Sequence, residues 1–418
     1  MSREKVAVVT GKDLCYLDDT DGANVLVKNF AEHVIKNEGL DVDIYTPCGY
    51  SGHQFVDLKA QSQSEENIEI SPGITVKRFP VPRVVTPNYE NQGLELLNRV
   101  NISMGEAVYF EDGKLFDYLR IHIIHMAHSF GLVLGDIVPI ERTIVHPMML
   151  GTEYKNFSEV SQSYIDIEKA VFRKQILVQT PSIAESETLI SDYSVSPEKI
   201  IITPRGFNPE ALTIRQRTLP PIQNRKVRIL CANMVRPQKG QKYFIDFAKE
   251  CKKNNLPVLI SLVGVNGTSY SPAYNKYSRE IFDEIEKENL WDSFDFLKPR
   301  SQQELDKIML NSDVAFYPSV FETFGKSPLE SMATGLPTIV CDDVPAFREF
   351  IKDEETGILT SRNSQAMVES LKRLLYKPSL YTDISKNGIS KGAEFFWENV
   401  LSRMILDTNN KISDVLST

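Results

Sequence analysis

Short apolar, β-branched runs alternate with longer amphipathic stretches along most of the chain, the pattern of a parallel sheet covered by helices. In the first half the runs 6–10, 42–46, 121–125, 143–146, 176–179 and 200–203 predict strands, with helices over 23–36 and 160–173. The stretch 84–118 is less regular, with a loop at 86–88 and amphipathic pieces around 94–100 and 114–119, and reads as an insertion. A polar, proline-bearing segment, 208–226, predicts a domain linker. The alternation then restarts, with strands at 227–232, 258–263, 294–297, 314–317, 338–340 and 358–360 and a helix over 242–252. A terminal amphipathic helix is expected over 392–407.

At 418 residues the chain exceeds what one hydrophobic core usually serves, so two domains are expected. The N-terminus enters a strand within a few residues, leaving no room for a signal peptide, and no run reaches membrane-span length. Five scattered cysteines without a C-x-x-C spacing suggest neither a disulfide framework nor a zinc knuckle, so the expected setting is a reducing cytoplasm. Net charge is −9. Residues 1–205 carry 19 Lys and Arg against 29 Asp and Glu, and the remainder 28 against 27. That balance argues against nucleic acid as a partner and gives no strong membrane signal.

The densest chemistry lies in FYPSVFETFGKSPLESMATGLP, residues 316–337. The apolar run 314–317 is stopped by Pro318, as for a strand buried in a parallel sheet. A loop with Phe324, Gly325 and Lys326 follows, and Ser327-Pro328 fits an N-cap with proline at the first helical position, which puts Glu330 in the first turn. Ligands of open α/β sheets bind beyond the carboxyl ends of strands, and helix N-termini favour anions, so this arrangement suits a phosphorylated sugar carrier. Glu322 and Glu330 alone are a weak signal. With the strand, the Phe-Gly pair and the helix end Ala333-Thr334-Gly335 around them, the segment resembles the E-x7-E signature of family-4 retaining glycosyltransferases of GT-B fold.

The resemblance covers most of the chain apart from 84–118 and implies an α/β GT-B architecture, two doubly wound Rossmann-like domains facing a central cleft. Residues 1–205 would bind acceptor, with a helix in 394–418 packing back on them, and 206–393 would bind the nucleotide-sugar donor. The insertion would lie near the acceptor. Glu330 would hold the ribose hydroxyls and Glu322 the donor sugar, with backbone N–H groups of Phe324, Gly325 and Lys326 as further donors. CANMVRPQKG, 231–240, resembles the family's strand end followed by Lys-Gly, which implies that Lys239 and Arg236 neutralise the diphosphate. The family's arginine usually stands five or six residues before the lysine; Met234 and Asn233 occupy those positions, and Arg236 is nearer. Gly264 would allow backbone to approach the nucleotide, and Lys298 stands where glycine is common beside the base. In 343–349, Pro345-Ala346 replaces the family's glycine pair, and Glu349 reads as structural.

Four histidines fall between His122 and His146. His125-x-x-His128 has a metal-like spacing but follows a strand-like run, so no metal site is assigned. By resemblance His146 would contact the donor sugar, with His125 and His128 toward the acceptor; packing at a strand end is the alternative. Gly22 would permit close main-chain approach to the diphosphate. Asp18, Asp19 and Asp21 are either solvated turn residues or line the cleft, where they would favour a neutral or cationic acceptor such as an amino sugar or aminocyclitol. Residues 204–208 read as hinge and Glu168 as support for the cleft. Asp41-Val42-Asp43 has a D-x-D look but reads as exposed alternation at a strand start, so no cofactor is required and magnesium is allowed without being implied.

The function expected from the resemblance is retaining transfer of a sugar from a nucleotide-diphosphate sugar, a UDP-sugar by preference, to a hydroxyl of a small-molecule or glycan acceptor. A sugar-nucleotide epimerase or phosphorylase, or a non-catalytic nucleotide-sugar-binding subunit, is the rival. Sugar, base, acceptor and oligomeric state are not legible.

Overall fold

The computed structural model describes residues 4–10, 22–48, 50–51, 54–55, 66–80, 106–148, 150–157, 160–219, 225–264, 272–298 and 301–417. Two compact units emerge, Met1–Pro204 with Glu398–Thr418, and Arg205–Trp397.

The first unit is built on an eight-stranded sheet in the order Ile200–Ile202, Leu177–Thr180, Thr143–His146, Arg120–Ile124, Lys5–Val9, Asp41–Pro47, Ile74–Phe79, Glu66–Ser71. All neighbours are parallel except the last pair, an antiparallel hairpin turning at Gly73, whose φ of 87° suits glycine. The other strands are apolar runs buried on both faces, as parallel strands under helices must be. One face carries Ala7, Val9, Tyr45 and Phe79 against Phe110, Leu115 and Tyr118, so the described part of the expected insertion, 106–118, completes the core. Asp43, expected at an exposed strand start, is buried. It accepts from Tyr118 Oη at 2.5 Å and pairs with Lys77 at 2.8 Å and Lys5 at 3.3 Å. Burial pushes this carboxyl up, but the bonds from Lys77 and Tyr118 outweigh it and hold it below the ordinary range.

The helix Trp397–Ser417 supplies the C-terminal part of this unit, starting later than expected because Gly392 and Ala393 still belong to the preceding helix, Pro378–Ala393. Its Asn409 accepts from Arg120 Nη1 at 2.9 Å, and the buried Arg120 also pairs with Glu38 of the helix Gly22–Glu38.

The second unit has six parallel strands in the order Phe294–Leu297, Val258–Val263, Val227–Ala232, Val314–Tyr317, Thr338–Cys341, Ile358–Thr360. Strand order reverses between Val227–Ala232 and Val314–Tyr317, which makes a topological switch point there, the place where doubly wound sheets take their ligands. Residues 208–219, expected as free linker, are fastened to this unit. The backbone N–H of buried Arg217 donates to Ser385, its Nη1 donates to the carbonyls of Met309 and Ser312, and Thr213 bonds Asp306. Two carbonyls, a hydroxyl and a carboxylate draw an otherwise linker-like sequence onto the surface. Among the described residues no helix is long and apolar enough to cross a membrane.

Candidate functional site

Two loops leave the second unit's sheet on either side of the switch point, and both carry nominated residues. From Val227–Ala232 the chain enters a 3-10 turn, Pro237–Lys239, closed by Gly240 at φ 66°. From Val314–Tyr317 it passes Pro318 and reaches Glu322. The loops dock main chain to main chain. Val320 and Phe321 N–H groups both donate to the Gln238 carbonyl, at 2.8 and 3.2 Å. A Cβ on Gly240 would stand 2.1 Å from the Pro318 carbonyl oxygen, so only glycine permits this approach.

The docking brings Lys239 Nζ to 2.6 Å from Glu322 Oε2, while Ser319 Oγ donates to Glu322 Oε1 at 2.9 Å. The Glu322 side chain is 7% exposed and that of Lys239 21%, so the pair is shielded on the carboxylate side and open on the ammonium side. An ammonium has three donors, and one is spent on Glu322, which leaves others for an anionic ligand. Arg236 belongs to the same turn; its guanidinium reaches Met234 Sδ at 3.4 Å and its backbone N–H donates to Gln241.

Beyond Glu322 the helix Lys326–Ala333 begins two residues earlier than Ser327-Pro328 suggested, because Gly325, at φ 96°, takes the N-cap. Glu330 therefore lies past the first turn, where Lys326 Nζ pairs with it at 3.0 Å. Phe324 is buried against Phe350 and Phe395, and a Cβ on Gly325 would strike the Phe347 ring at 2.7 Å, so aromatic packing fixes the turn that presents the helix N-terminus. Gly264, at φ 110°, ends the strand Val258–Val263 against Asn233, and Lys298 is exposed just past Phe294–Leu297.

In the first unit the nominated histidines serve three different arrangements. His146 and His122 are buried, with His146 Nε2 3.0 Å from His122 Nδ1, so one nitrogen of His146 is committed inside the core. Burial, then His146 and Arg120, hold His122 well below the usual imidazole range, and it is neutral. His128 is buried on the helix Met126–Leu134, 2.8 Å from the Glu106 carboxylate. His125 is half-buried, caps that helix by accepting from Ala127 N–H, and adopts φ 87°, rare for a residue with a Cβ. It follows directly on Arg120–Ile124, beside the first unit's own reversal of strand order. Glu168 is buried and accepts from Gly151 N–H and, at 2.5 Å, from Tyr193 Oη, fixing the turn Gly151–Tyr154. Asp18, Asp19 and Asp21 lie outside the described residues, and of Gly22 only its place at the start of a helix is described. Among the described residues no group of three or more His, Cys, Asp or Glu is arranged to hold a metal ion.

Residues 214–391 match the family model described as Glycosyl transferases group 1. This part of the chain is a group 1 glycosyltransferase domain. Across 95% of both chains the protein is 22% identical to the D-inositol 3-phosphate glycosyltransferase of Paenarthrobacter aurescens (strain TC1). Its fold is GT-B, shared with sucrose-phosphate synthase from Thermosynechococcus elongatus at TM-score 0.77, 20% identity and coverage of 99% and 100% of the two chains. The Anabaena protein HepE in complex with UDP and glucose superposes at TM-score 0.66, with 17% identity over 99% and 100%.

Several side chains of the group 1 domain were not nominated from sequence. Ser319 and Gln238 fix the two loops, and Asn233 is buried at the end of Val227–Ala232 with an Nδ2 that has no partner among the described residues. Asn233 stands six residues before Lys239, one of the positions where the resemblance looked for arginine, so the signal was present as a departure from pattern.

Proposed function

We propose that this glycosyltransferase moves a sugar from a nucleotide diphosphate, UDP foremost, to a hydroxyl of a small polyhydroxylated acceptor, with retention at the anomeric carbon. The observation that carries the reading is the Lys239–Glu322 pair at the switch point, in which the ammonium is more exposed than the shielded carboxylate it bonds. Lys239 binds the diphosphate and holds the charge released as the glycosidic C–O bond to phosphate breaks, with the N–H groups at the start of Lys326–Ala333 as further donors. Glu322 orients the donor sugar and Glu330 accepts from the ribose hydroxyls. The leaving phosphate oxygen takes the acceptor's hydroxyl proton on the same face, so neither a covalent intermediate nor a metal is needed in this scheme. The printed name of the Paenarthrobacter relative makes a cyclitol phosphate the first acceptor to try, and HepE's complex makes UDP-glucose the first donor.

The test is incubation with UDP-, GDP- and ADP-sugars against inositol phosphates, sugar phosphates and aminocyclitols. Free nucleoside diphosphate with a new glycoside, its anomeric proton coupling matching that of the donor, is the expected result. Donor isomerisation, or binding without turnover, would overturn it.

A further inference from the structure

We propose that Arg362 is a positioning residue that sets the Glu322 carboxylate for the donor sugar, an inference that rests on the role given to Glu322 above. Arg362 lies two residues beyond the strand Ile358–Thr360, yet its guanidinium reaches across the end of Thr338–Cys341 to the loop after Val314–Tyr317. Nε donates to the Pro318 carbonyl at 3.2 Å and Nη2 to the Ser319 carbonyl at 2.6 Å. On its other edge Nη1 donates to Asp343 Oδ2 at 2.6 Å and Nη2 to Asp343 Oδ1. Its Cζ also stands 5.6 Å from the ring centre of Tyr243, just past the turn that bears Lys239.

One planar group therefore ties the ends of three adjacent strands together where the site is built. Only 11% of the Arg362 side chain is exposed, while Asp343 is 54% exposed, so the arginine is embedded and its carboxylate partner braces it from solvent. The consequence passes through Ser319. Its carbonyl is pinned by Arg362 while its hydroxyl donates to Glu322 Oε1, and Lys239 holds Glu322 Oε2. The carboxylate is thereby gripped at both oxygens, and its plane depends on where Ser319 sits. An ammonium has three donors and no planar fork, so lysine cannot reproduce the four bonds that Arg362 makes to two carbonyls and both oxygens of a carboxylate.

The test compares R362Q, R362K, D343N, E322Q and R362Q/E322Q, using UDP-glucose or the panel donor turned over fastest, with calorimetric titration of UDP alongside. R362Q should lower kcat by roughly 10- to 100-fold while the UDP dissociation constant stays unchanged. R362K should fall between R362Q and the parent, and R362Q/E322Q should be no slower than E322Q alone, because both act on one carboxylate. Wild-type kcat in R362Q, or losses that multiply in the double variant, would overturn the proposal. If R362Q does not fold, D343N decides: it keeps the carbonyl bonds but removes the brace, and must lose kcat while retaining UDP affinity. Full kcat in E322Q would instead show that the role of Glu322 itself is wrong, and this proposal would fall with it.

Discussion

Lys239 Nζ lies 2.6 Å from Glu322 Oε2, although the two residues follow different strands on opposite sides of a reversal in strand order. Each charge alone would be poorly solvated in its loop. Together each charge compensates the other.

Loss of Lys239 removes the cation proposed above for the diphosphate and strands a shielded carboxylate. Lys239→Ala should lower kcat by on the order of 10²–10³ and weaken UDP binding, whereas Glu322→Gln should lower kcat with little change in UDP affinity. Steady-state rates and UDP titration separate the two.

Gly240→Ala is expected to damage the site without touching a charge. The new Cβ would meet the Pro318 carbonyl at 2.1 Å in a backbone at φ 66°, forcing the two loops apart. A stability loss of about 1–3 kcal/mol in urea unfolding is expected, with a larger loss of transfer rate than of UDP binding.

Glu153 gives the first unit an unusual pH response. Burial, then the neighbouring Glu185, push its carboxyl up to about 8. The folded state therefore holds a proton that the unfolded state has already released above the ordinary glutamate range, and stability falls as pH rises from about 4.5 toward 8. Glu153→Gln should flatten that decline and gain on the order of 2 kcal/mol at pH 8. Urea midpoints measured at pH 5.5 and 8 check it, and a parallel decline in parent and variant would contradict it.

The His122–His146 pair acts in the opposite sense. His122 has a folded pKa well below 6.5, so the unfolded state binds its proton first and stability drops as pH falls below about 6.5. The limiting slope is about 1.4 kcal/mol per pH unit for one proton. His122→Leu should reduce the slope between pH 6.5 and 5, even though it costs stability at neutral pH.

The second unit's strands were legible almost to the residue because each is a short, mainly apolar run flanked by proline, glycine or charge. The hairpin Glu66–Ser71 and Ile74–Phe79 was missed for the converse reason. Its outer strand alternates half-buried and exposed positions and carries Glu66, Asn67 and Glu69. Ser327-Pro328 is a sound helix-start signal, but the left-handed Gly325 caps first. A buried arginine such as Arg217 cannot be told from a solvated one in a polar stretch, so 208–226 read as linker. Glu322, Glu330 and Lys239 were nominated through the strand and loop context around them and the family resemblance it carries. Arg362 did not, since a lone arginine two residues past a strand has no periodic partner, and its three strand ends meet only in space. His146 was nominated for a ligand contact, but a strand-end sequence does not reveal that His122 lies 3.0 Å from its Nε2.

Because Glu398–Thr418 belongs to the first unit while Arg205–Trp397 forms the second, the two units differ in when they can be finished during synthesis. The second is one continuous stretch and can close as soon as it clears the ribosome. The first has its sheet early, but Arg120 and Glu38 wait for Asn409, which is translated only after the whole second unit. During that interval a nascent chain carries a buried-type arginine without its full set of acceptors, and the apolar surface that Val400, Leu401 and Met404 cover stays open. Chaperone dependence should therefore concentrate in the half that was made first.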